Sequence, residues 1–231
     1  MNASEMQWVA VSGGSDLEQS SARAVSVSGL DIAIWRSGAG TAHAWENRCP
    51  HRGMRMSFGQ VRDDNLVCRY HGWSFDESGR CQSIPASPGT TPPPTACVEE
   101  YACREALGLI WISTTGDDEA ALAGLMEEAG FTGGLQFCKT IYVNGSPDFV
   151  SGMINPSRQI NPGVLLASVA NTAGDTEDIL IAVQASGENR CAVHVVIASD
   201  DDADTNNLRR LHFGQWAQRL RWHLENPEQA A

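Results

Sequence analysis

Two short segments, "CPHRG" at residues 49–53 and "CRYHGWSF" at residues 68–75, each set a cysteine and a histidine within one tight turn and follow them with glycine. Written out, they read Cys49-x-His51, sixteen intervening residues, then Cys68-x-x-His71. No other feature constrains the fold as tightly. One thiolate and one imidazole are too few to hold a metal centre alone, so the pattern has chemical meaning only in a fold that brings the two loops face to face. Ligands one or two residues apart on a turn converge on one side of the backbone, and Gly53 and Gly72 let main-chain amides approach a bound anion closely.

From the residues alone, three readings stand. The two cysteines can hold one iron and the two histidines another, the ligation of a Rieske 2Fe-2S centre. The four side chains can instead form a Cys2His2 zinc site, or they can be unrelated. The seven cysteines are an odd number, spread through a chain of ordinary size, which suits reduced thiols plus a metal site better than a secreted disulfide framework. Cys81, Cys97, Cys103, Cys138 and Cys191 repeat no ligand spacing and are expected to be free thiols. The formal charge of -12 disfavours binding to nucleic acid or anionic lipid. No apolar run approaches the roughly 20 residues needed to span a bilayer. The start "MNASEMQWVAVSGG" lacks a basic n-region and an apolar h-region. The expectation is a cytoplasmic protein without a membrane or nucleic-acid partner.

Up to "GLIWIS", short Val, Ile and Trp-rich runs alternate with Gly, Ser and Asp turns and read as antiparallel β. Residues 83–97, "SIPASPGTTPPPTAC", carry five prolines and must form an extended surface loop. Residues 114–131 read as a short helix opened by acidic residues and closed by glycine. Beyond it, "QFCKTIYVN", "GVLLASVAN", "DILIAVQAS" and "CAVHVVIAS" read as strands before a long helix, an α+β pattern. Phe213, Trp216, Ala217, Leu220 and Leu224 form one stripe of that helix; aspartates 200, 201, 202 and 204 precede its positive end, and Pro227 follows its close. The expected division is 1–114, a helical linker over 115–134, and 135–231.

"CPHRG" with "CRYHGWSF" resembles the Rieske domain of the Rieske non-haem iron oxygenases, the terminal components of ring hydroxylases and O- or N-demethylases. The resemblance covers about residues 5–113 and includes "SIP" and the "GLIWI" strand. It implies one Rieske 2Fe-2S cluster on Cys49, His51, Cys68 and His71, with Arg52, Gly53, Tyr70, Gly72 and Trp73 around it. Met54, Arg55, Met56, Arg69 and Tyr70 leave no place for the extra cysteine pair of respiratory Rieske proteins. Arg48, Arg52, Arg55, Arg62 and Arg69 crowd the region in an otherwise acidic chain, a rim that could steer an acidic ferredoxin or flavoprotein reductase.

The family's catalytic half holds a mononuclear iron on two histidines and a carboxylate. The nearest segment here is residues 143–163, where Arg158 stands in the place of the first histidine and no histidine follows. His43, His194, His212 and His223 remain. His212 and His223 share a helix face, but eleven residues separate them by roughly 16 Å. Mononuclear iron is therefore not expected, and no catalytic residue is assigned. The C-terminal region is read as a shortened helix-grip-like (START-like) antiparallel sheet with a long terminal helix.

The function expected is single-electron transfer from a ferredoxin or flavoprotein reductase to a partner such as an oxygenase subunit. The alternatives are an oxygenase component whose mononuclear iron site is unrecognised or supplied by a partner, and a non-catalytic subunit or redox sensor. Family oxygenases often form trimers, so the resemblance also allows a homo-oligomer.

Overall fold

In a computed structural model, residues 8–116, 118–131, 133–154, 156–200 and 202–226 are described. The first seven residues, Asp201 and Pro227 lie outside that set. In chain order the strands are β1 (Val9–Gly13), β2 (Ala22–Val27), β3 (Leu30–Arg36), β4 (Ala42–Glu46), β5 (Gln60–Arg62), β6 (Asn65–Val67), β7 (Ser74–Phe75), β8 (Cys81–Ser83), β9 (Glu100–Ala106) and β10 (Leu109–Ser113). Then come helix α1 (Glu119–Ala129), β11 (Gly134–Asn144), α2 (Pro147–Ile154), β12 (Arg158–Asn161), β13 (Val164–Ala170), β14 (Thr176–Gly187), β15 (Arg190–Ser199) and α3 (Ala203–Glu225). The class is α+β, as the sequence implies. Strands β5, β7, β8, β9 and β12 and helix α2 are additions; the first three are two or three residues long, too short to show a period.

The chain divides into two compact units. One comprises residues 15–104 and 112–117; the other comprises 1–14, 105–111 and 118–231, as far as these are described. In the first unit β2, β3 and β4 form an antiparallel meander, and the start of β9 adds to β4 through Ala44↔Tyr101 and Trp45↔Glu100. Strands β5, β6, β7 and β8 form a small second sheet in that order. The core of this unit includes Trp35, Trp45, Met56, Leu66, Phe75 and Val98, and it also buries Cys49 and Cys68.

The second unit carries a five-stranded antiparallel sheet in the order β11-β15-β14-β13-β12. Alternation along its strands turns Ile141, Leu165, Ile179, Ile181, Val193 and Val195 to one face, against Phe213, Ala217 and Leu224 of α3. Trp216 and Leu220 pack on the same core, so the stripe read from the sequence is the face that is buried. Asp202 caps α3 by accepting from Thr205 N at 2.8 Å.

Helix α1 is capped at both ends. Asp118 Oδ1 accepts from Ala121 N at 3.1 Å, and Gly130 ends the helix with φ of 72°. Arg158 then donates to the terminal carbonyls of Glu128 at 2.7 Å and Ala129 at 3.2 Å. Arg158 thus satisfies a helix end. Arg158→Ala is expected to lower stability by about 1 kcal/mol in urea denaturation, whereas an unchanged midpoint would deny it a capping role.

Candidate metal centre

The small sheet explains why the two Cys/His segments meet. The first segment runs from β4 into β5, and the second joins β6 to β7. Because Gln60 pairs with Val67 and Val67 with Ser74, the end of the first loop and both ends of the second emerge at the same end of the sheet.

Each loop is closed by the same frame. Cys49 N donates to Met54 O and Gly53 N to Cys49 O, both at 2.8 Å. In the second loop Cys68 N donates to Trp73 O at 2.8 Å and Gly72 N to Cys68 O at 3.0 Å. The glycine stands four residues after the cysteine in both, with φ of 71° in each, a left-handed conformation costly for other residues. Only the histidine offset differs, two residues in one loop and three in the other.

This frame sorts the donors by type. The thiols of Cys49 and Cys68 are each 2% exposed and adjoin one another. The rings of His51 and His71 meet edge to face, with centroids 4.7 Å apart; His71 is exposed and His51 half-buried. Burial pushes the Cys49 thiol up to about 11; amide hydrogen bonds from His51 and Arg52 oppose that rise and the neighbouring Cys68 adds to it. The His51 imidazole is held below its ordinary value by desolvation first, then by the charges of His71 and Arg52. A neutral ring is the form that ligates metal. Among the described residues, no group of three or more His, Cys, Asp or Glu is placed around a single ion. Two buried thiols and two outward imidazoles match in type the donors of a Rieske-type two-iron cluster, with amides directed at the sulfur of Cys49.

Supporting side chains were not legible in advance. Asn47, buried, donates from Nδ2 to Asp31 Oδ1 at 2.9 Å and accepts from Ser57 N at 2.8 Å, which ties the base of the first loop to β3. Arg55 bonds the same Asp31 oxygen at 2.7 Å and lies over the Phe58 ring. Pro85, from the proline-rich loop, packs beside Gly72. Asparagine before a metal loop carries no signal without its partner, sixteen residues upstream. In and beside the two loops, Tyr70 is 62% and Phe58 52% exposed, and Arg48, Arg52, Arg55 and Arg69 are exposed as well.

Three of the other four histidines are occupied locally. His43 stacks on Trp35 with centroids 4.4 Å apart and bonds Glu77 at 3.2 Å. His194 Nδ1 lies 2.8 Å from Thr140 Oγ1, and His212 Nε2 lies 2.7 Å from Ala170 O. His223 is exposed near the end of α3.

Comparison with known proteins places this geometry. Residues 7–101 match the Rieske [2Fe-2S] domain family. The chain is 36% identical over 124 residues, 53% of its length, to "Oxidoreductase NdmD" of Pseudomonas putida, of which the match covers 21%. It is 46% identical over 86 residues, 36% of its length, to "4beta-methylsterol monooxygenase" of Methylococcus capsulatus, of which 23% is covered. The chain therefore spans about a fifth to a quarter of these curated relatives. The fold resembles apo dicamba monooxygenase with a TM-score of 0.71 at 17% identity, over 96% of this chain and 86% of that one. At such identity the likeness speaks for fold alone. No helix among the described residues is long and apolar enough to cross a membrane.

Proposed function

We propose that this chain, the bearer of a Rieske [2Fe-2S] domain, is a one-electron carrier of an oxygenase system. Cys49 and Cys68 would hold the inner iron and His51 and His71 the outer one. The observation that carries this is the sorting of donors by two matched loops, thiols inward and imidazoles towards solvent. A bound cluster supplies one-electron redox chemistry, at potentials of roughly -150 to +300 mV for Rieske centres. The chain keeps water from the thiolates, directs amides at Cys49 and presents the histidine edge to a partner. Along the sequence, we assign 1–114 to the redox domain, 115–134 to a linker and 135–231 to an oxygenase-like region without its own mononuclear iron. The local engagement of His43, His194 and His212 and the capping role of Arg158 support that last assignment.

Metal and acid-labile sulfide analysis with visible and EPR spectra tests the reading. About two irons and two sulfides per chain, in a brown protein, are expected. Stoichiometric zinc in a colourless protein would end the proposal, and a third iron outside the cluster would assign oxygenase chemistry instead.

The donor is proposed to be a ferredoxin or flavoprotein reductase with an acidic surface, and the acceptor an oxygenase subunit. The exposed arginines Arg48, Arg52, Arg55 and Arg69 in the two loops support the first, since such a concentration of positive charge on a chain of net charge -12 steers an acidic partner to the histidine edge. Arg52→Glu is expected to slow cluster reduction about fivefold at low salt and hardly at all near 1 M, where the Debye length is about 3 Å. Equal rates at low salt in stopped-flow reduction would remove the docking surface.

A further inference from the structure

We infer that Trp73 is a positioning residue for His51, reaching across from the second loop to fix the imidazole plane of the first; this rests on the cluster reading above. The two rings are nearly parallel, 6° apart, with centroids at 4.3 Å. The main chain and side chain of Trp73 act on different loops. Its carbonyl accepts from Cys68 N and closes the second loop, while its indole lies on the histidine of the first. The indole also packs against the core, where Phe75, fully buried, sits 6.4 Å away at 36°. Tyr70 packs on His71 at 3.9 Å with a tilt of 35°, so both aromatic braces come from the second loop.

An imidazole on a two-residue offset from its cysteine has freedom about its side-chain torsions; a parallel indole anchored in the core removes it. The stack also covers one face of the ring. The cluster ligated by two thiolates and two neutral imidazoles is neutral when oxidised and carries one negative charge when reduced. Excluding water from His51 disfavours the charged, reduced form. Trp73 therefore both orients the outer ligand and holds the potential down, which an ordinary core tryptophan would not do.

The test uses the cluster-loaded chain and its Trp73→Leu and Trp73→Phe variants, comparing iron and sulfide content, EPR g-values and reduction potential. Trp73→Leu is expected to keep its cluster but to shift the g-values and favour the reduced state about tenfold, ~59 mV for one electron. Trp73→Phe, which keeps a ring over His51, should restore most of both. Unchanged spectrum and potential in a loaded Trp73→Leu protein would overturn the inference. Should Trp73→Leu take up no iron, Trp73→Met, of similar volume but without a ring, replaces it in the comparison and is read in the same way. Loss of cluster in both apolar variants with rescue by Trp73→Phe supports the brace, and loss in all three overturns it. A wild-type chain without iron and sulfide would instead defeat the cluster reading itself.

Discussion

Cys68→Ala is expected to take cluster iron from about two per chain to almost none, with the visible bands lost and the thermal transition lowered. The thiol is 2% exposed in the core of its unit, so water is a poor substitute for the missing ligand. Because metal binding is coupled to the order of its loops, loss of one ligand also removes binding free energy from the folded state. Cys81→Ala is the matched control. Cys81 is also buried, at 8% exposed, and its Sγ donates to Ser83 O at 3.5 Å rather than joining the four donors. It should keep its iron and lose only the packing of one small side chain. Iron retained in Cys68→Ala, or lost equally from Cys81→Ala, would remove the distinction on which the ligand assignment depends.

The contrast between these two cysteines marks how far the sequence can be read. Ligand types and spacing alone mark Cys49, His51, Cys68 and His71 as one candidate donor set, for iron or for zinc, before any contact between the loops is seen. Helix α3 was equally legible: Phe213, Ala217 and Leu224 repeat at helical spacing, and the same side chains are buried. Helix α1 announced its ends through acidic residues and Gly130. What remained hidden depends on contacts distant in sequence. Asn47 finds Asp31, Arg158 finds the end of α1, and residues 105–111 gather with the unit that contains α3. None of these has a local pattern, since the physical reason for each residue lies in its partner. The stack of Trp73 on His51 is intermediate: the proximity follows from two facing loops, but the parallel geometry does not.

Gly72 offers the sharpest separation of loop geometry from ligand chemistry, and Gly72→Val is expected to cost about 3 kcal/mol together with most of the cluster iron. Two effects add. At φ of 71° any side chain is strained, and a β-branched one most of all. A Cβ there would also stand 3.1 Å from Pro85 Cγ, so the proline-rich loop must move or the turn that carries His71 must open. Gly53 has the same φ, but a Cβ there meets only Arg48 Nε, at 3.5 Å, the end of a flexible side chain. Gly53→Val should therefore show the backbone cost without the collision and lose less stability and less iron. Pro85→Ala in the Gly72→Val background should recover part of the difference, and Pro85→Ala alone should cost little, which gives a positive coupling in a double-mutant cycle. Iron content and urea midpoints measure all four proteins. Equal losses in Gly53→Val and Gly72→Val, with no recovery from Pro85→Ala, would mean that the proline-rich loop does not clamp the second loop. Recovery of stability without recovery of iron would place the fault in the orientation of His71 itself, because the turn would then be folded but its imidazole misdirected.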